Sequence, residues 1–269
     1  MQDEVKMVKA CYNEDASQEW ARLERHPVEF AITRKFIDRY VKHGDRVLDI
    51  GGGPGRYSFY LAEKGCDVTL FDLSDENVKF ASERAVEQGL NIKTVCGDAC
   101  EVDKLVNGQF DHVLLMGPLY HLPNEADRVK TVNAALGLLK PGGVLFSAFI
   151  SSYASVWDSM ASYPNIVLDE ISQEFFNHML NDTDFSGVGF TQNHFIRPTG
   201  VAEFMAKFPL EKLHIAGCES ILALRTQELM KEPPEVFQKW LEFAFEVCER
   251  EEFLGMSHHL LHVGRNVAC

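Results

Sequence analysis

No run in this sequence approaches the ~20 apolar residues that a membrane-spanning helix requires. The opening residues, Met1-Gln2-Asp3-Glu4, also lack the basic stretch and apolar core of a secretory leader. A membrane protein is therefore not expected, and a soluble, cytoplasmic one is. Basic residues are scarce, 26 Lys and Arg against 40 Asp and Glu, which leaves a net charge of -14. Affinity for nucleic acid is built largely on cations neutralising phosphates, and no Lys/Arg run with interleaved aromatics appears, so a small-molecule partner is favoured over RNA. Paired cysteine spacing is missing too. The seven cysteines are odd in number, and the nearest pair, Cys96 and Cys100, fits neither a zinc knuckle nor a redox Cys-x-x-Cys. Reduced thiols and no metal are expected. Internal repeats and low-complexity tracts are absent as well.

What is present is core-forming sequence: 46% hydrophobic residues in 269 suffice for one large domain, or for one domain carrying an elaborate insertion. The most informative stretch is Val47-Leu48-Asp49-Ile50-Gly51-Gly52-Gly53-Pro54-Gly55-Arg56-Tyr57. It reads as a buried parallel strand, a turn in which glycine lets backbone approach a ligand, and a helix beginning near Tyr57. A dinucleotide site needs Gly-x-Gly-x-x-Gly, but here the glycines run Gly51-x-Gly53-x-Gly55 and Arg56 stands where the third would be. Asp49, two positions before the first glycine, would repel a pyrophosphate and attract an ammonium group.

Later markers follow in a consistent order. Val68 to Phe71 reads as a second strand ending on Asp72, with Ser74 placed to cap the next helix. Val95-Cys96-Gly97-Asp98-Ala99 closes a third strand on an acid, and Phe110 to Gly117 gives a fourth that opens into Pro118-Leu119-Tyr120-His121-Leu122. After a helix, the turn Leu139 to Gly143 leads into the apolar strand Val144 to Ile150.

In these five markers, over residues 44 to 150, the chain resembles the class I S-adenosylmethionine-dependent methyltransferases. The resemblance implies a Rossmann-like α/β fold, a seven-stranded and mainly parallel sheet with an antiparallel last strand, and S-adenosylmethionine as cofactor. It implies cofactor contacts at Asp49, Gly51, Gly52 and Gly53, at Asp72 (the ribose hydroxyls) with Leu73, at Asp98 (the adenine side) with Ala99, and at Met116 and Gly117. Tyr12, ahead of the core, is expected to fold over the cofactor.

Four segments are expected. Residues 1–43 form an N-terminal helical extension covering the site, broken at His26-Pro27, and 44–150 form the cofactor-binding core. Residues 151–197 are too long and too aromatic for a plain connection and read as a lid of short helices, with an extended ribbon from Gly187 to Ile196. Residues 198–269 complete the core, with a helical insertion at about 221–255 whose stripe of Val236, Phe237, Trp240, Leu241, Ala244 and Val247 serves the core or a dimer contact.

His121 follows the fourth strand, and its near-neutral reference pKa suits a general base; packing under the lid is the alternative. Tyr120 beside it is either a second catalytic group or an aromatic wall. Arg22, with Arg25 and His26, either meets an anionic acceptor or forms a solvated helix face. Arg197, at the joint between lid and core, either clamps a substrate carboxylate or pairs with a lid acid. Tyr153 and Trp157 are further substrate candidates on the lid, and His178 and His194 are weaker ones. His258, His259 and His262 resemble a metal cluster, but strand alternation sends His259 to the face opposite the other two, which argues against a metal. The reading is methyl transfer to an oxygen, nitrogen or sulfur atom of a small molecule by a monomer or homodimer. A tRNA-modifying methyltransferase and a non-catalytic S-adenosylmethionine-binding protein are the alternatives.

Overall fold

A computed structural model describes residues 2–13, 16–170, 172–188 and 191–268. Three helices come first: α1 (Gln2–Asn13), α2 (Ala16–Glu24) and α3 (Pro27–Tyr40). The break between the last two falls at His26, because Pro27 lacks the N–H a continuing helix needs but fits its first turn. On α3, Val28, Ile32, Phe36 and Ile37 are spaced to share one face, and all four are buried.

The alternating region follows as β1 (Arg46–Ile50), α4 (Arg56–Glu63), β2 (Asp67–Asp72), α5 (Asp75–Glu87), β3 (Ile92–Cys96), α6 (Val102–Leu105), β4 (Phe110–Leu115), α7 (Glu125–Leu138) and β5 (Leu139–Ser151). Apolar residues on both sides of these strands make them suited to an interior sheet, and β1 pairs in parallel with both β2 and β4. The expected turn at residues 139–143 is taken up as an irregularity in β5, where the pairing with β4 jumps from Phe110–Leu139 to His112–Val144.

The lid segment contains α8 (Ser152–Ser162), α9 (Ser172–Leu180), β6 (Phe185–Val188) and β7 (Gln192–Ile196). The expected ribbon is present on both sides of residues 189 and 190, which lie outside the described residues. The chain closes with α10 (Gly200–Met205), β8 (Leu210–Gly217), α11 (Thr226–Leu229), α12 (Pro234–Val247), α13 (Glu251–Leu254) and β9 (His259–Asn266). Strand β9 runs antiparallel to both β5 and β8, so β3-β2-β1-β4-β5-β9-β8 forms the expected seven-stranded core. The sheet gains two more strands because Ile150 and Ser151, at the end of β5, also pair with Phe195 and Ile196 of β7.

Alternation along the strands divides the core into two layers. Leu48, Ile50, Val113, Leu115 and Phe149 face α7 and α10, while Val47, Leu114, Phe146 and Val263 face α3, α4 and α12. The stripe on α12 is narrower than expected. Leu241, Ala244 and Val247 are buried, whereas Val236, Trp240 and Phe243 are turned to the surface.

Candidate active site

The site lies at the C-terminal ends of the parallel strands, where the chain leaves each strand for a helix on one face or the other. After β1 the backbone turns through Gly51 (φ 74°) and Gly53 (φ 55°), a region that costs most residues steric strain. At Gly51 a Cβ would also fall 2.4 Å from Pro118 Cδ, whereas at Gly53 it would meet no protein atom within 4 Å. The space above Gly53 belongs to a cleft about 150 Å³ in volume, floored by the glycine turn and by Asp49, Asp72, Asp98 and Met116.

Asp72 is held by three donors: the Gly53 N–H at 2.8 Å, the Ser74 N–H at 2.9 Å and the Asn77 amide at 3.4 Å. A carboxylate offers about four acceptor positions, so capacity for a further hydroxyl remains. Asp49 is fully buried, and one oxygen accepts from Ser58 Oγ at 2.7 Å while the other, Oδ1, has no partner. Burial, and then the nearby charge of Asp72, pushes the Asp49 carboxyl up to about 7. Asp98 accepts from the Cys100 N–H at 2.9 Å, so it caps the short turn at Ala99 while lining the cleft. Leu73, Ala99, Gly51, Gly52 and Gly117 line the cleft as well.

The cover comes from the N-terminus. Ser74 Oγ lies 3.0 Å from the Tyr12 carbonyl, and Lys9 pairs with Asp75 at 2.6 Å, tying α1 to the start of α5. Arg56, which stands where a dinucleotide site has its third glycine, donates through its guanidinium to the backbone carbonyls of Leu23 and His26, fixing the turn between α2 and α3. Tyr12 then reaches His121, its phenol oxygen 2.8 Å from Nε2. His121 Nδ1 lies 3.3 Å from the Gln192 carbonyl, which can only accept, so Nδ1 carries the proton and Nε2 accepts from Tyr12.

A second, wider cavity of about 840 Å³ lies beyond the first. The lid supplies one wall, including Tyr163, Phe175, Phe176, Phe185 and Phe195, and the opposite wall carries His26, His258 and His259. The cleft and the cavity share three residues, Tyr12, Arg22 and Tyr120.

Several expected substrate and catalytic residues are placed differently. Arg197 lines neither space: it pairs with Asp184 (3.1 Å), Glu203 (2.9 Å) and Asp182 (3.4 Å), so it ties lid to core rather than clamping a carboxylate. Tyr153 packs against Gly255, and Trp157 sits on a partly exposed side of α8, because the helix presents Ala154, Ser155 and Asp158 to the cavity instead. Tyr120 does border both spaces, and its surroundings favour an aromatic wall over an acid or base. Its hydroxyl donates to the Met116 carbonyl at 2.9 Å, and burial raises its pKa further. His121 is a poor base, since burial pulls its pKa down to about 4 and Tyr12 occupies its accepting nitrogen. Arg22 does border both spaces, with Glu19 engaging its guanidinium through two contacts at 2.7 and 2.6 Å. His178 bonds Thr183, and His194 bonds Ser186, both away from the cleft.

His258 and His259 are the residues that sequence reasoning passed over as site groups. The available signal was topological: an antiparallel strand begins at the edge where parallel strands end, so the first residues of β9 lie beside the end of β5, with His259 opposite Ile150. Among the described residues no group of three or more metal-ligating side chains could hold an ion.

This strand order, with a glycine turn after the first strand and an acid ending the second, defines the Rossmann-like methyltransferase fold. Residues 47–143 match the methyltransferase-domain family. The ubiquinone biosynthesis O-methyltransferase of Erwinia tasmaniensis is 29% identical over 174 residues, which span 65% of this chain and 65% of the length of that relative. Magnesium protoporphyrin IX methyltransferase from Synechocystis PCC 6803, solved with bound S-adenosylhomocysteine, superposes over 98% of this chain with a TM-score of 0.59 at 14% identity. A [4+2]-cyclase also shares the fold, with a TM-score of 0.55 at 17% identity over 89% of this chain. Residues 47–143 thus form a methyltransferase domain similar to those of the class I S-adenosylmethionine-dependent enzymes, and solved structures that share the fold hold S-adenosylhomocysteine, the product form of the cofactor S-adenosylmethionine.

The cleft residues fit that cofactor. The orphaned Asp49 Oδ1 suits an ammonium group, Asp72 retains acceptor capacity for ribose hydroxyls, and the open space over Gly53 admits a ligand against bare backbone.

Proposed function

We propose that this chain methylates a small-molecule acceptor held in the wide cavity, using S-adenosylmethionine held in the cleft. The observation that carries this reading is the shared border of the two spaces at Tyr12, Arg22 and Tyr120, which brings donor and acceptor to one junction. When bound, the cofactor supplies an electrophilic methyl group on a sulfonium centre. The protein's part is to align the acceptor and exclude water: α1 closes one side, the lid another, and Tyr120 stands as a fixed wall between them. His121 acts by holding Tyr12 in place. An oxygen acceptor agrees with the names of the relatives, which are O-methyltransferases of ubiquinone biosynthesis.

The net charge of -14 and the aromatic walls of the cavity favour a small molecule over tRNA. Among the described residues no helix is long and apolar enough to cross a membrane. We place the enzyme in the cytoplasm as a monomer or homodimer, and the buried thiols of Cys66, Cys100, Cys218 and Cys248 agree with a reducing compartment.

Incubation with methyl-labelled S-adenosylmethionine tests the reading. Label appearing in small molecules from a metabolite extract supports it. Label in bulk tRNA instead would replace it with RNA modification, and cofactor binding with label in neither would leave a binding protein.

A further inference from the structure

Glu219 is buried at the turn after β8, and all its contacts converge on one short segment. Its Oε1 lies 2.7 Å from His259 Nδ1, its Oε2 accepts from Ser257 Oγ at 2.7 Å, and the same oxygen accepts from the His259 backbone N–H at 2.9 Å. Ser257 Oγ accepts in turn from the Glu219 N–H at 2.8 Å, so the carboxylate cannot turn away without breaking the set. Since a carboxylate oxygen accepts, Nδ1 of His259 donates, and Nε2 is left as the ring nitrogen for a ligand. His259 borders the wide cavity, with its ring edge-to-face at 6.2 Å from Tyr120, the residue that divides the two spaces.

We propose, on the basis of the methyl-transfer reading above, that His259 is the catalytic base for a phenolic acceptor, with Glu219 as its positioning residue. The acceptor's O–H bond breaks with the proton passing to His259 Nε2, the oxygen forms a bond to the methyl carbon, and the carbon–sulfur bond breaks with its electron pair going to sulfur. The aromatic lid wall, Phe175, Phe176, Phe185 and Phe195, suits the ring of such an acceptor, while the hydroxyl is directed to the histidine side.

Charge around His259 agrees with this role. Burial opposes its protonation, but Glu219 outweighs burial and raises the imidazole above its ordinary value. Glu29 on α3 acts in the same direction, and Arg22 on α2 acts against it. Burial likewise opposes the charge on Glu219, yet His259 holds that carboxyl down at about 2. His258 pairs with Asp158 of α8 at 3.3 Å, and His26, Tyr12, Tyr163 and Glu174 also line the cavity. An imidazole raised in this way holds a phenol's proton better than His121, which burial pulls down to about 4.

The test uses the full chain saturated with S-adenosylhomocysteine and 4-nitrophenol, whose anion absorbs in the visible, at a pH about one unit below the probe's own pKa. The wild type is expected to bind the probe as its anion. His259→Gln should bind it about tenfold or more weakly and as the neutral phenol, and Glu219→Gln should fall between, with S-adenosylhomocysteine affinity by calorimetry unchanged in both. Nitrogen NMR of histidine-labelled wild type, recorded at a pH about one unit above the imidazole's own midpoint without probe, gives an independent readout, in which Nε2 of His259 gains a proton as the probe binds, and it serves if either variant fails to fold. A bound neutral probe in the wild type, an unchanged anion in His259→Gln, or no probe binding would each overturn the proposal. Loss of S-adenosylhomocysteine binding by the wild type would instead overturn the methyl-transfer reading itself.

Discussion

Tyr12 and His121 are joined side chain to side chain, phenol oxygen to Nε2 at 2.8 Å, across 109 positions of sequence. The bond links the last turn of α1 to the loop after β4, so the cover of the cleft and one of its walls are a single hydrogen-bonded unit. His121→Ala and Tyr12→Phe should therefore act alike, each weakening S-adenosylhomocysteine binding by roughly three- to tenfold, the worth of one ordinary hydrogen bond. Calorimetry on both single variants and the double variant measures this, and a shared unit predicts that the double loses no more than either single.

The same pair gives a pH dependence. Burial lowers His121 to about 4 in the folded chain, against about 6.5 for an ordinary histidine, so protons favour the unfolded or undocked form. Docking of α1 is fully supported above about 6.5 and is lost progressively as pH falls toward 4. Hydrogen exchange in α1, followed from pH 7 to 4.5 with rates corrected for intrinsic pH effects, should show protection fading in wild type. In His121→Gln the fading should be much shallower.

Asp49 should make cofactor binding depend on pH in the opposite region. With its carboxyl raised to about 7 by burial, the ionised form that attracts an ammonium group is depleted below that pH. Affinity for S-adenosylhomocysteine should rise from pH 6 to 8, by up to about tenfold per unit on the acid side. Asp49→Asn should bind more weakly and with a flat profile, and calorimetry at three pH values decides it.

Asp72→Ala removes the acceptor expected for the ribose hydroxyls and frees the Gly53 and Ser74 N–H groups it holds. Gly53→Val places a branched side chain in the open space above the turn, where no protein atom lies within 4 Å of the new Cβ. Each should weaken cofactor binding by about ten- to a hundredfold, or roughly 1.5–3 kcal/mol, with a cooperative melt retained. Unchanged affinity in both would remove the cleft as the cofactor site.

What the sequence makes legible here is what neighbouring residues decide among themselves. The glycine turn and Asp72 can be read because a strand end, a positive φ and an acid occupy one short window. Ser74 can be read as a cap because capping is local, and its bond to the Asn77 N–H shows it. Contacts across the fold are a different matter. Nothing within the windows around Tyr12 and His121 announces their bond, and Arg197 looks the same in sequence whether it meets a ligand or the three acids it does meet. Trp157 and Tyr153 are misplaced for a smaller reason: the sequence suggests short helices in the lid but leaves open the rotation of the helix Ser152–Ser162 about its own axis, and about 100° per residue separates a cavity wall from the surface. His259 is legible only through topology, since its place at the start of β9, and not the face it occupies, sets it beside the wide cavity.

The union of β7 with the last two residues of β5 has a bearing on how this protein can change over generations. The chain leaves the sheet at Ser151 and returns beside the same spot at Ile196, so everything between hangs from two adjacent points like a cartridge in a holder. The aromatic wall of the wide cavity is carried on that loop, while the donor cleft is carried elsewhere. Exchanging residues 152–184 with those of a relative should therefore redirect the choice of acceptor while leaving affinity for the donor where it was.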